Sequence, residues 1–541
     1  MKWIKHITVV AVLASTAWHA HAAMEKPVVI DGAMLSITVS DFHGLIDEVG
    51  GVIEKIQPGM GGMLKMMLGM QLGDPALTGI PVGSGLSVVA LDKTQVFAVI
   101  EVAEAQSASY LSLAQSKGLQ ANYTNGVLVL ALSEEILAKG IEQSDAVKNI
   151  LLAKRSPTLR IALQPGLILD QNQEALDGFM QMLPNLMGQG MMQQPGATLD
   201  LAESVTKLIE GELRVLLSLA EQCDKVEVVF APEGGALTLS KTILPKAGTP
   251  LAALVNAPMK SKANPKIQSG LLGDATIKYD LHVANFEALG TFFGIEAKKV
   301  VQEMQLEEIN VDAAMTLLQK WLKLYDGTSI ESLAFEDGKN KIRRVTGITD
   351  EALVLSALKS MPTDLAPLLG LYEEFGMPLV LEFKENVREV AGTKIHQFVL
   401  KMDLTSMPSE QSEPLKAMGL DHWIFDLAIT DGLMFYSEPE AMEELIQRVT
   451  EGESTSPLKA RSDYPAGGFY YLDLDVGEYM AVASMMMPDI LEAATLKQTM
   501  KTLFEGVPSL TSAGFMQDGC MSWSVRIPGE LLARLTMINQ M

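Results

Sequence analysis

Methionine is the residue type whose clustering first suggests chemistry. In "GMGGMLKMMLGM" (59–70), Met60, Met63, Met67 and Met70 recur at spacings of three, four and three, which is one stripe of a helix. A second cluster, "GFMQMLPNLMGQGMMQQPG" (178–196), holds Met180, Met187, Met191 and Met192, and a third spans 478–490. Thioether sulfur is soft and suits Cu(I), but strong copper sites add His or Cys. Only His43, His282, His396 and His422 lie beyond the N-terminal leader, and none falls inside a methionine cluster. No metal site is expected. Unbranched methionine also repacks around varied apolar partners. The stripe at 59–70 is therefore expected either as packing buried between modules or as a deformable wall. As a wall it would meet a partner protein or an amphiphilic ligand, together with Met180, Met187, Met191 and Met192.

Two Asp-x-His triplets come next. Asp41 precedes His43 and Asp280 precedes His282; on a strand each pair would share a face, where it could relay a proton or ligate a metal. A hydrolase without a familiar motif would draw on these four residues. The corresponding stretch "LDLDVGEY" carries Asp475 where a third histidine would stand, so polar strand faces are the plainer expectation. Asp473 and Asp475 share a strand face too, but a calcium loop needs more oxygens and a glycine-centred turn. They are expected to be solvated. G-x-S-x-G, a P-loop, H-E-x-x-H and C-x-x-C are all missing. The expectation is a non-enzymatic protein with no catalytic residue and no cofactor.

The elements that must position these residues recur along the chain. Asn125-Gly126, Glu233-Gly234, Asp337-Gly338, Asp431-Gly432 and Asp518-Gly519 each sit between apolar strands, as tight hairpin turns require. Ser133, Thr249, Thr349 and Ser437 stand where a helix cap belongs, and Ser437 with Glu440 has the spacing of a capping box. "YDLHVANF" matches "LDLDVGEY" at Asp280/Asp473, Leu281/Leu474 and Val283/Val476. The reading is an α+β fold of about five related strand-helix-hairpin-helix units with mostly antiparallel sheets. The units are placed near 28–148, 157–256, 274–360, 375–449 and 465–537, in two halves (23–256 and 274–541) joined by a Pro/Lys/Ser-rich linker at 257–273. "LVLALSEEILAKGI" and its relatives resemble the module ends of large exported bacterial proteins known only as domains of unknown function. That resemblance implies an extracytoplasmic setting and brings no catalytic residues.

The N-terminus supports the same address. Lys2 and Lys5, an apolar run to Trp18 and Ala20-His21-Ala22 form a secretory signal, with cleavage expected after Ala22. Its removal takes the net charge from −24 to −26, a field that repels nucleic acid and anionic membranes. No later run is long enough for an integral span. Cys223 and Cys520 are the only cysteines, and in an oxidising compartment they could pair. The functional expectation is a periplasmic or secreted binding or scaffold protein, with a lipid or amphiphile carrier and a motif-free hydrolase as the alternatives.

Overall fold

The computed structural model describes residues 27–538, apart from 154, 193–198, 259–264, 272–274, 283–284, 305–310, 337–338, 375–378, 403–421, 453–467 and 484–489. The chain forms two compact units. One gathers the described residues up to Asp177, Leu219–Asn256 and Asp475 onward; the other gathers Gly178–Ser218 and Ala257–Leu474. The C-terminal residues thus group with the N-terminal ones, not with 274–474.

Along the chain, β1 (Leu35–Val39), α1 (Phe42–Ile56), α2 (Gly61–Gln71), β2 (Leu86–Ala90), β3 (Val96–Glu101) and α3 (Glu104–Ser116) come first. The hairpin β4 (Gln120–Thr124), β5 (Val127–Ala131) and α4 (Glu134–Ala153) follow. Next come β6 (Leu159–Leu163), α5 (Pro165–Met192), α6 (Leu199–Glu221), β7 (Cys223–Glu233), β8 (Ala236–Pro245) and α7 (Pro250–Val255). A 3₁₀ turn (Pro265–Gly270) leads into β9 (Ile277–His282), α8 (Phe286–Glu303), α9 (Val311–Leu322), β10 (Tyr325–Glu336), β11 (Lys339–Ile348) and α10 (Glu351–Glu374). Two hairpins, β12 (Leu379–Val390) with β13 (Thr393–Met402) and β14 (His422–Thr430) with β15 (Leu433–Ser437), precede α11 (Met442–Glu451). The chain closes with β16 (Tyr470–Leu474), α12 (Val476–Ala483), α13 (Ile490–Phe504), β17 (Leu510–Gln517), β18 (Cys520–Pro528) and α14 (Gly529–Ile538). The order strand, two helices, hairpin, helix therefore occurs at 35–116, 159–255, 277–374 and 470–538. Residues 379–451 have neither a leading strand nor a helix pair among the described residues.

The fold is α+β with antiparallel strands. In the first unit the strands lie in the order β4-β5-β3-β2-β1-β6-β7-β8-β18-β17. In the second the order is β12-β13-β14-β15-β11-β10-β9-β16. Leading strands pair with each other: β1 with β6 around Ile37 and Ile161, and β9 with β16 around Tyr279 and Leu472. Asp280 and Asp473, aligned in the sequence match, occupy two-fold-related places in that second pair.

Local chemistry accounts for the hairpins. Asn125-Gly126, Asp431-Gly432 and Asp518-Gly519 all take positive φ, as a type I′ turn demands. At 233–236 the two left-handed residues are Gly234 and Gly235, one place later than expected, because a second glycine is available there. Asp337-Gly338 lies outside the described residues. Ala391-Gly392 makes a further turn between β12 and β13 that no side-chain signal marks. Ser133 and Thr249 cap α4 and α7. Thr349 does not cap α10: its hydroxyl donates to the Lys323 carbonyl, and Asp350 accepts from the Leu353 amide instead. The Ser437–Glu440 capping box is not formed either, since Ser437 ends β15 and α11 starts after Ala441.

Helix α4 covers one face of β2, β3 and β5 through Val147 and Leu151, against Val89, Phe97, Val99 and Val129. Ile80, Val102, Tyr110 and Leu128 fill the opposite face. In the second unit α10 brings Val354, Ala357 and Leu358 onto Phe398, Leu427 and Met434. The end of the expected linker is core: Ile267 and Leu271 are buried, a side chain at Gly270 would meet Ile330 and Val345 at under 3 Å, and Pro258 and Lys266 stay exposed. Proline, lysine and serine dominate that segment's composition, while its isoleucine and leucine decide its place.

The second unit's sheet also carries a polar row. Gln397, Asp426, Ser437, Arg343, Ser332, Lys278 and Asp473 stand opposite one another in seven neighbouring strands. All but Gln397 are buried. Asp426 accepts from Arg388 Nε at 3.1 Å and from Gln397 Nε2 at 3.0 Å. Lys278 Nζ lies 3.4 Å from Asp473 and donates to the Ala275 carbonyl at 3.1 Å. Buried charges persist when paired and hydrogen-bonded in this way.

Candidate functional site

The methionine stripe folds as expected into a helix, α2, but it faces outward. Met60, Met63, Met66, Met67 and Met70 range from 36 % to 58 % exposed. The inner face is made by Gly61, Leu64, Leu68 and Gly69. Glycine decides this arrangement. A Cβ on Gly61 would lie 2.3 Å from the Gly50 carbonyl oxygen of α1, and one on Gly69 would lie 2.6 Å from the carbonyls of Asp74 and Pro75. Without side chains at these places the helix backbone presses directly on its neighbours. Glu54 accepts from the amides of Gly59 and Gly61 at 2.8 and 3.0 Å, holding the first turn of α2. Lys65 reaches toward Asp47 at 3.7 Å. The packing expectation for 59–70 is thereby corrected: the glycines pack, and the methionines remain as an apolar surface. Surface patches of this kind mark interaction sites more often than lone exposed residues do.

Around the second cluster, Phe179 and Met182 are exposed on α5 and Met180 is half-buried. The side chains of Met187, Met191 and Met192 lie outside the described residues, as does 484–489 of the third cluster.

The Asp-x-His pairs serve other purposes. β1 ends at Val39, so His43 sits in the first turn of α1 and not on a strand. Asp41 caps that helix, accepting from the Gly44 amide at 2.9 Å. Buried His43 uses Nε2 to contact the Ile80 carbonyl oxygen at 2.7 Å, tying α1 to the loop before β2. Asp280 is buried in the middle of β9. His282 ends that strand, and its side chain lies outside the described residues. The pair expected to be solvated is corrected too: Asp473 is fully buried beside Lys278, and Asp475 caps α12 through the Glu478 amide at 2.9 Å. Among the described residues no group of three His, Cys, Asp or Glu side chains could hold a metal ion. Cys223 and Cys520 are both buried and do not form a disulfide. Burial pushes the Cys223 thiol up, against the pull of Lys241 and Lys246. No helix among the described residues is long and apolar enough to cross a membrane.

His396 was not singled out by any motif, yet it is a buried titratable group. Its ring stacks on Phe383, with centroids 5.7 Å apart, and Nδ1 accepts from the Asn386 amide at 3.3 Å. Burial holds its pKa below the ordinary 6.5; Glu385 opposes that shift, and Lys359 and Lys394 reinforce it. A depressed folded-state pKa gives stability that is complete above 6.5 and is lost as pH falls from there through the folded value. The urea midpoint of the second unit should fall between pH 7.5 and 5.5, and His396→Gln should flatten that slope. An unchanged slope in the variant would assign the pH dependence to other groups.

A second patch lies on the open face of β12, β13 and β14, where Lys384, Lys401 and His422 surround Val399, Met402 and Ile424. The sequence marked only the Asp431-Gly432 turn after β14; β12 and β13 carried no turn signal, and the cluster forms by cross-strand register. No family model, no curated protein and no solved structure matches the chain.

Proposed function

We propose that the protein is a non-enzymatic binding or scaffold protein that works outside the cytoplasm and engages an apolar surface of a partner protein through the methionine face of α2. The observation that supports this reading is the exposure of four methionines on one helix, with Met60 at its N-cap, whose glycines lock it to the body of its unit. A rigid backbone carrying flexible thioether side chains suits a partner surface of variable shape. The leader sequence supports the address. The strand, two-helix, hairpin, helix order, which recurs at 35–116, 159–255, 277–374 and 470–538, supports a scaffold of related units. An amphiphile carrier is the weaker reading, because this face lies on the outside of a helix and is not the lining of a closed cavity.

Photo-crosslinking tests the proposal. A diazirine methionine analogue at 63 or 67 of the full chain, irradiated in the exporting cell, should yield one discrete adduct of protein size. Changing Met60, Met66 and Met70 to serine should abolish it. An adduct of lipid mass would replace the protein partner by a carried amphiphile. Probe quenched only by water would remove the face from consideration.

A further inference from the structure

The methionine face of α2 also has the chemistry of a modification site. Seven methionines are exposed among the described residues, and five of them, Met60, Met63, Met66, Met67 and Met70, fall between positions 60 and 70. The other two, Met182 and Met537, lie elsewhere in the chain, while Met434, Met442, Met500 and Met521 are buried. A thioether is oxidised by two-electron oxygen donors when its sulfur is open to solvent. The fold therefore sorts its methionines into one reactive cluster and a protected core.

What sets the cluster apart is that the packing of α2 does not depend on it. Sulfoxide formation ordinarily disrupts a protein, because a flexible apolar side chain inside a core becomes polar. The contacts that hold this helix come from other atoms. Gly61 and Gly69 bring backbone against backbone, Glu54 accepts from the Gly59 and Gly61 amides, and Leu64 and Leu68 are the half-buried side chains. Met63, Met66, Met67 and Met70 follow one another at i, i+3, i+4 and i+7, so they are neighbours on the outer side. One oxygen on each would turn an apolar stripe into a row of hydrogen-bond acceptors while the backbone stays in place.

We infer that this stripe is a site of reversible sulfoxidation, a polarity switch built on a fixed helix. In the forward step a sulfur lone pair attacks one oxygen of hydrogen peroxide. The O–O bond breaks, the S–O bond forms and water leaves, so sulfur loses two electrons and the peroxide gains them. In the return step a dithiol removes the oxygen as water and becomes a disulfide. Cys223 and Cys520 are buried, so that dithiol comes from outside the chain, from methionine sulfoxide reductases, one for each sulfoxide epimer. Release of a docked apolar surface on oxidation rests on the reading of α2 as a docking face; the sulfur chemistry does not.

Peptide mass mapping of the folded full chain, exposed to limiting hydrogen peroxide and quenched at intervals, tests the chemistry. Met63, Met66, Met67 and Met70 should each gain one oxygen at rates within about threefold of Met182 and Met537, and about tenfold faster than the four buried methionines. The two epimer-specific reductases should restore the parent mass. Changing the same four residues to glutamine, which imitates the polarity of the sulfoxide and forms helix as well as methionine does, should leave the melting temperature within about 2 °C of the parent's. Oxidation that lags about tenfold behind Met182 and Met537, sulfoxides that the reductases leave in place, or a clearly lower melting temperature would each overturn the inference. Crosslinking from a diazirine analogue at 63 then tests the switch. Peroxide should abolish the protein adduct of the parent but not that of the Met66→Leu, Met67→Leu, Met70→Leu chain. Loss in both chains, or in neither, would overturn the switch and leave the docking face standing. No adduct before oxidation would remove the docking face, and the peptide map alone would then decide the modification site.

Discussion

Replacing Asp473 by alanine is expected to destabilise the second unit by about 3–5 kcal/mol, the usual cost of stranding one member of a buried ion pair. Asp473 is fully buried, and Lys278, directly opposite it on β9, is nearly so. With the carboxylate gone, the Lys278 ammonium keeps the Ala275 carbonyl but loses the Asp473 counter-charge while nearly buried. Urea unfolding followed by the fluorescence of Trp321 and Trp423 reads this out. With an m-value of about 2 kcal/mol/M, the midpoint should fall by roughly 2 M. The double variant Lys278→Met, Asp473→Leu should regain most of the loss, because it removes both desolvated charges and keeps the volume. A loss below about 1 kcal/mol in the single variant would mean that Lys278 reaches solvent in the folded protein.

The second large effect separates two adjacent glycines. Gly61→Ala should cost about 1–3 kcal/mol, as overpacking does when the obstacle is backbone. Its Cβ would lie 2.3 Å from the Gly50 carbonyl oxygen, a backbone atom that cannot give way as the nearby Glu54 carboxylate, at 3.1 Å, can. Gly62→Ala meets nothing within 4 Å. It should stabilise by about 0.5 kcal/mol, because alanine is the better helix former. The pair also bears on function: if α2 docks a partner, Gly61→Ala should displace the methionine face and weaken crosslinking at 63 and 67, while Gly62→Ala should leave it intact. Equal stability of the two variants would show that α2 is not pressed on α1.

Helices, hairpins and several caps were legible from the sequence because they depend on neighbours in the chain. Asn125-Gly126 needs only its own two φ angles, and Thr249 needs only an amide three residues on. Ser437 and Glu440 have the right spacing too, but the chain continues β15 through Ser437, which pairs with both Arg343 and Asp426, and the sheet outweighs the cap. Asp473 read as a solvated acid because its partner lies almost two hundred residues upstream. The methionine stripe had the period of a helix, and period alone does not say which side is inward. Here the inward side is marked by Gly61 and Gly69, whose signal is a missing side chain. The patch beside Lys384 is assembled from three strands, and no single stretch of sequence contains it.

The pairing of β8 with β18 has a consequence for how the protein is made. Thr242 and Ser522 share a hydrogen bond across 280 residues of chain. At 5–20 residues per second a ribosome needs about 15–55 s to traverse that interval. Throughout that time the outer edge of β8 has no strand to pair with, and unpaired edges recruit other chains. A chain folded without its last hairpin would therefore present the edge of β8 as an open template, and the hairpin moves the edge of that unit's sheet from β8 to β17.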